Sequence, residues 1–121
     1  MIKILVVDDD EDFTKIYKTS LHMRGFDTTA VNQSSVAIEM AYLVKPDIFL
    51  IDLMMPEING FQLCKLIRKD PVFQGAPIVI ITALTDEESK KVAMDAGAND
   101  YLTKPFHIDD LKASILALVS E

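Results

Sequence analysis

Short apolar runs alternate along the chain with stretches whose apolar residues recur at helical spacing. Ile2 to Val7 is a mostly apolar run of Ile, Leu and Val, which predicts a strand buried on both faces. It ends abruptly in Asp8-Asp9-Asp10-Glu11-Asp12. Phe13, Ile16, Tyr17 and Leu21 then define the apolar face of a first helix, capped by Asp10 or Asp12 and ended by Gly25. Asp27 to Val31 is β-branched and weakly alternating, and predicts a second strand. Ser34 or Ser35 caps a second helix with Val36, Ala37, Met40, Ala41 and Val44 on its inner face, closed by Pro46. Asp47 to Asp52 is a third strand that ends in an acid. Leu53 to Asn59 is a loop, and Gly60 opens a helix through Leu63, Cys64 and Ile67. Asp70-Pro71 and Gly75-Ala76-Pro77 punctuate the next connection. Ile78 to Ile81 is a fourth strand ending at Thr82. Asp86 caps a helix that carries Val92, Ala93 and Ala96 and stops at Gly97. Asp100 to Thr103 is a short fifth strand, and Ile108 to Val119 is the last helix.

Five strands alternating with five helices predict a parallel sheet covered on both faces. No repeat, linker or low-complexity tract interrupts the order, so residues 1–121 read as one domain. Net charge is −7, from 19 acids against 12 bases. That disfavours non-specific binding to nucleic acid or to an anionic membrane surface, both of which need a basic face. Apolar runs such as Ile78 to Ile81 are far too short to cross a bilayer. The first residues show no secretion signal. Cys64 is the one cysteine and has no internal partner. The expectation is a cytoplasmic globular domain.

In open α/β sheets, ligands sit beyond the carboxyl ends of the strands. Strand one delivers Asp8, Asp9 and Asp10 there, strand three Asp52, strand four Thr82 and Ala83, and strand five Lys104. Strand two delivers only Asn32 and Gln33. Taken singly, each has an ordinary explanation as a helix cap, a strand-end hydroxyl or a solvated amine. Their joint placement at one edge points to chemistry. Carboxylates about 4 Å apart repel by roughly 4 kcal/mol at an effective dielectric near 20. A fold that gathers three must protonate one or bind a cation. Hard oxygen ligands suit Mg²⁺ or Mn²⁺, which readily share phosphate oxygens. A carboxylate can also act as nucleophile and form an aspartyl-phosphate.

Val6-Val7-Asp8-Asp9, Asp52-Leu53-Met54-Met55-Pro56-Glu57-Ile58-Asn59-Gly60, Ile81-Thr82-Ala83 and Lys104-Pro105-Phe106 together resemble the receiver domain of bacterial two-component response regulators. The resemblance covers essentially the whole chain. It implies a flavodoxin-like (βα)5 three-layer sandwich with sheet order 2-1-3-4-5. It implies that Asp52 is the phosphoacceptor. The metal, Mg²⁺ or Mn²⁺, would be held by Asp9, Asp52 and the Met54 backbone carbonyl, with Asp8 acting through a bound water. Lys104, Thr82 and the Ala83 backbone amide would contact the phosphoryl group. Thr82 and Tyr101 would form the switch that reshapes the helix-four, strand-five and helix-five surface, and the bond before Pro105 would be cis. The implied phosphodonor is a sensor histidine kinase or a histidine phosphotransfer protein, and the reader of the switched surface is an effector or output domain. The domain would catalyse transfer onto itself rather than turn over a substrate. A homodimer through the same surface would draw on Lys90, Lys91 and Asp100, but helix five offers it only Lys112 and no arginine.

Two rival readings compete. A Mg²⁺-dependent phosphohydrolase would use the acid-x-acid pattern of Asp8 to Asp10, but this chain has no cap domain. A flavin module would need a Ser-, Thr- and Gly-rich loop where Asp8 to Asp12 stand, and a dinucleotide site would need a Gly-x-Gly-x-x-Gly that does not occur. A scaffold without phosphorylation is disfavoured because every chemical position is filled. Cys64 reads as a core thiol, and His22 and His107 as isolated surface residues. Met54 and Leu84 lie two residues beyond Asp52 and Thr82. Both are apolar and cannot orient an attacking water, so a slowly decaying phosphoryl group is expected.

Overall fold

A computed structural model describes residues 1–119. The elements are β1 (Lys3–Val7), α1 (Glu11–Met23), β2 (Asp27–Val31), α2 (Ala37–Val44), β3 (Ile48–Ile51), α3 (Gly60–Lys69), β4 (Ile78–Thr82), α4 (Glu87–Asp95), β5 (Asp100–Thr103) and α5 (Ile108–Leu118), with a 3₁₀ turn (Ser34–Val36) before α2. All strand pairs are parallel and the sheet order is β2-β1-β3-β4-β5. This is the flavodoxin-like order expected from the sequence.

Alternation along the buried strands builds two cores. Leu5, Val7, Phe49, Ile51, Ile78 and Ile80 face one way, onto Ala37 and Ala41 of α2, Leu63, Cys64 and Ile67 of α3, and Ala93 of α4. Ile4, Val6, Ile48, Leu50, Val79 and Ile81 face the other way, onto Leu21 of α1 and Leu111 and Ile115 of α5. Each helix starts where a strand has just ended, so helix N-termini and strand C-termini share one edge.

Local signals explain most boundaries. Asp10, not Asp12, caps α1, its side chain accepting from the Phe13 amide at 3.1 Å. Asp86 caps α4 through the Ser89 amide. Asn59 and Gln62 form a reciprocal capping box at α3. Neither serine caps α2: the 3₁₀ turn intervenes, and Ser34 is buried with its hydroxyl donating to the Glu57 carbonyl at 3.2 Å. Two inward assignments also change. Ile16 is 64% exposed and Val92 43% exposed, because the buried stripes run through Thr14 and Leu21 on α1 and through Ala93 and Ala96 beside them on α4.

Arg68 organises the far side of the molecule. From α3 it donates to the carbonyls of Gly97 (2.7 Å), Gln74 (3.1 Å) and Ala76 (2.6 Å), and to the side-chain oxygen of Asn99 (2.8 Å). Gly97 has φ +118, and a Cβ there would run into the Arg68 side chain. The cation therefore serves as a cap for the loop before β4 and for the end of α4.

Among the described residues, one buried side-chain polar atom is unanswered. The Thr28 hydroxyl on edge strand β2 is buried beside Ile4 without a hydrogen-bond partner. Such a group costs about 1–3 kcal/mol. Thr28→Val keeps the β-branched shape and removes the orphan, so urea unfolding should show a gain of about 1 kcal/mol in stability.

Candidate functional site

The sheet ladder extends one residue past three strands, and each extension carries a site residue. The Asp8 amide donates to Val31 at 3.1 Å, the Asp52 amide to Val7 at 3.1 Å, and the Lys104 amide to Thr82 at 2.8 Å. The three backbones are thus fixed before any side chain is considered. Gly60 lets the start of α3 approach the same place: a Cβ there would collide with the Asp52 carbonyl and the Leu53 backbone.

Side chains converge from this frame. Lys104 Nζ donates to Asp8 at 2.9 Å and to Asp52 at 3.2 Å. The second oxygen of Asp8 accepts from the Asp10 amide at 3.0 Å, and that of Asp52 from the Met54 amide at 3.2 Å. Asp8 and Asp52 are buried, whereas Asp9 is exposed. One oxygen from each of the three lies within 4.8 Å of the others. A cleft of about 340 Å³ opens beside Asp9, lined by Asn32, Gln33, Ser34, Met55, Pro56 and Glu57. The cluster is therefore buried on its Lys104 side and open to solvent on its Asp9 side.

The electrostatics follow from that asymmetry. Burial raises the Asp8 carboxyl above its ordinary range; the Asp10 amide and Lys104 oppose this without cancelling it, and the Asp52 charge adds to it. Burial works against the Lys104 ammonium, but Asp8 and then Asp52 outweigh it, and its proton is held more tightly than usual. Three carboxylates against one ammonium leave net negative charge, and all donors are hard oxygens. That set fits a divalent cation that keeps some of its water.

Thr82 is fully buried at the end of β4, its hydroxyl accepting a long 3.4 Å bond from the Leu84 amide. The Tyr101 ring is half-buried on β5, and its hydroxyl donates to the Leu84 carbonyl at 2.8 Å. Burial, with Asp86 and Asp52 adding, raises the Tyr101 phenol. Both residues therefore hold Leu84, one through its amide and one through its carbonyl. Ala83 is exposed in that loop, and Met54 is 60% exposed beside Asp52. The Lys104–Pro105 bond is cis, as expected. Asp100 is occupied within the domain, accepting from the Ser114 hydroxyl at 2.5 Å. Cys64 is a buried core thiol whose pKa burial pushes up to about 12, with Arg68 acting weakly the other way. His22 and His107 are exposed.

Two supporting residues were missed in the sequence. Asn32 donates to the Asp8 carbonyl and to the buried Thr14 hydroxyl, both at 2.9 Å, bracing the β1–α1 loop. Its place at the end of β2 was the available signal. Phe13, assigned only to the helix face, lies with its ring centroid 3.7 Å from Lys104 Nζ. No local pattern announces that contact.

Fold and site together define a flavodoxin-like α/β domain with an acid cluster and one opposed lysine at the carboxyl edge of its sheet. Residues 4–116 match the family model of the response regulator receiver domain, and the chain belongs to that family. It is 38% identical over 115 residues to the DNA-binding response regulator MtrA of Mycolicibacterium smegmatis, covering 95% of this chain and 49% of that protein. The chain spans about half the length of the curated relatives it matches. Among solved structures, the receiver domain of Francisella response regulator 1452 is 35% identical with a TM-score of 0.90, covering 98% of this chain and 97% of that one. The BeF3-activated N-terminal receiver domain of Klebsiella pneumoniae RstA is 28% identical with a TM-score of 0.92, covering 98% and 99%. The family is one of two-component signalling proteins rather than of conventional enzymes. Among the described residues no helix is long and apolar enough to cross a membrane.

If the acid cluster is a cation site, millimolar Mg²⁺ should raise the midpoint of thermal unfolding, because a ligand that binds the folded state stabilises it. Asp9→Ala should lose most of that shift while melting near wild type without metal, since Asp9 is exposed. Equal shifts in the two proteins, measured by calorimetry, would rule the cluster out.

Proposed function

We propose that the domain accepts a phosphoryl group on Asp52 from a phosphohistidine of a kinase or phosphotransfer protein, and then presents an altered α4–β5–α5 surface to an effector or output domain. The observation that carries this is the Lys104 ammonium, within hydrogen-bond reach of Asp52 and Asp8 at once.

In the transfer, a carboxylate oxygen of Asp52 attacks phosphorus. The new P–O bond forms as the P–N bond to the donor imidazole breaks, and the electron pair stays on that nitrogen. With a small acyl phosphate the pair leaves on the carboxylate oxygen instead. Among the described residues Asp52 accepts hydrogen bonds from Met54 and Lys104 alone, so an oxygen lone pair is left for attack. Lys104 follows the negative charge onto the phosphoryl oxygens. The Thr82 hydroxyl, at the end of the neighbouring strand β4, and the Ala83 amide just after it would supply further donors, which is most of what phosphoryl-transfer catalysis asks of a protein. Mg²⁺ is proposed to be held by Asp9, Asp52 and the Met54 carbonyl, with Asp8 through water, and when bound it would neutralise charge on the transferring group.

The switch reading rests on Leu84. Its amide is bonded to Thr82 and its carbonyl to Tyr101. Toward Leu84 the Thr82 hydroxyl only accepts, so a phosphoryl oxygen would give its proton an acceptor. Thr82 then turns toward Asp52, the loop follows, and the Tyr101 ring loses its outer anchor. MtrA is named as DNA-binding, and with net charge −7 this domain is a poor match for a phosphate backbone. Nucleic-acid contact is therefore assigned away from residues 1–121, which are taken as one receiver unit. A homodimer through α4–β5–α5 would have Lys90, Lys91 and Lys112 available, whereas Asp100 is already engaged by Ser114.

Incubation with acetyl phosphate and Mg²⁺ should add one phosphoryl mass to the wild-type chain, and none to Asp52→Ala. A gain that persists in the variant would overturn the assignment. The lifetime of the product is a second test. Met54 and Leu84 flank the approach of water and offer it no polar group, so Met54→Asn and Leu84→Glu should each release phosphate several-fold faster than wild type. Unchanged decay in both would remove water access as the control.

A further inference from the structure

The Lys104 ammonium has a third neighbour besides its two carboxylates. The ring centroid of Phe13 lies 3.7 Å from Nζ, a distance at which the negative face of the ring attracts the cation. Phe13 is itself held on two sides. Its amide donates to the Asp10 cap at 3.1 Å, which fixes the first turn of α1. Its ring meets that of Tyr17 edge to face, with centroids 4.0 Å apart at 87°. Tyr17 in turn stacks on Phe106, with centroids 5.1 Å apart at 24°. Phe106 is two residues beyond Lys104. The three rings thus form a closed path that begins at the ammonium and returns to the loop that carries it.

A lysine head is a compact charge on a flexible stem, with three donors that can turn in many directions. Its value to a reaction depends on being placed beforehand. A carboxylate pair alone attracts the ammonium without restricting the side from which it comes. A ring face behind Nζ supplies that restriction and directs the N–H groups toward Asp8 and Asp52. We propose that Phe13 is a positioning residue for phosphoryl transfer, holding Lys104 over the acid pair through its ring face. This rests on the reading of Asp52 as phosphoacceptor. The alternative role is packing alone, since Phe13 also lies against the core beneath α1 and α5; a side chain of similar bulk without a ring would then serve as well.

The test compares Phe13→Leu, Phe13→Met and Phe13→Tyr in the full chain. The ring-current shift of the Lys104 ε-methylene protons, read by NMR, reports the contact without any phosphodonor. Wild type and Phe13→Tyr should show upfield-shifted signals, and the two aliphatic variants should not. Phosphorylation by acetyl phosphate with Mg²⁺, followed by mass spectrometry, should slow about three- to tenfold in Phe13→Leu and Phe13→Met, as loss of a partly desolvated cation–π contact implies. Phe13→Tyr should restore it. Unshifted Lys104 signals in wild type, or wild-type rates in both aliphatic variants, would overturn the proposal. Failure of the wild-type chain to gain phosphate on Asp52 would sink the phosphoacceptor reading and this role with it, and it is read before any change at Phe13.

Discussion

Asp8 and Asp52 are carboxylates that the sheet carries out of water, and a single ammonium answers both. Two such charges about 4 Å apart repel by roughly 4 kcal/mol, and removing one partner from a buried charge pair costs about 3–5 kcal/mol. The cation cannot come from nearby in sequence. β1 and β3 are adjacent, β4 follows, and β5 lies beyond it. At strand spacings near 5 Å, Lys104 starts about 10 Å from the strand that carries Asp52. Only a long side chain bridges that gap, and its stem passes the end of β4, where Thr82 is fully buried. The order of the strands and the choice of lysine are therefore one constraint.

The rest of the architecture serves to keep these ends still. Two apolar cores clamp the strands from both faces, and the ladder bonds continue through the backbones of Asp8, Asp52 and Lys104. Around them the loops are bonded to one another: Asn32 braces the residue before Asp9, Ser34 reaches Glu57, and Met54 folds its amide back to Asp52. The cluster stays open only on the side of Asp9. Rigid backbone and one wet face are what a site needs if a cation and a phosphodonor must enter while the acceptor stays in place.

The fold was legible because buried parallel strands are nearly continuous apolar runs, and each ended at a residue of different chemistry. Asp8, Asp52, Thr82 and Lys104 could be placed at one edge by counting strands. What could not be read was the phase of the helices and contacts made across the fold. Ile16 looked inward because it is large and apolar. The stripe that α1 buries is centred on Thr14 and Leu21, a small polar residue that Asn32 satisfies and a leucine. Phe13 was placed correctly on the helix, but its ring faces a lysine 91 positions away, which no local period reveals. The serines before α2 looked like caps because serine usually is one there; Ser34 instead spends its hydroxyl on Glu57 across the sheet edge. Glu57 and Ile58 both have positive φ; the loop from Leu53 to Asn59 was legible, but without a glycine at either position nothing marked its left-handed turn.

Arg68 adds a mechanical asymmetry. It binds the Gly97 carbonyl and Asn99 at one end of α4, and Asn99 also accepts from the Ile78 amide. That end of the helix is riveted to α3 and to the start of β4, far from the acid cluster. The other end follows the loop held by Thr82 and Tyr101. On the proposed switch, α4 would then act as a lever with its fulcrum at Gly97: a shift of the loop at Thr82 would tilt the helix most at Glu87 and least toward Asp95.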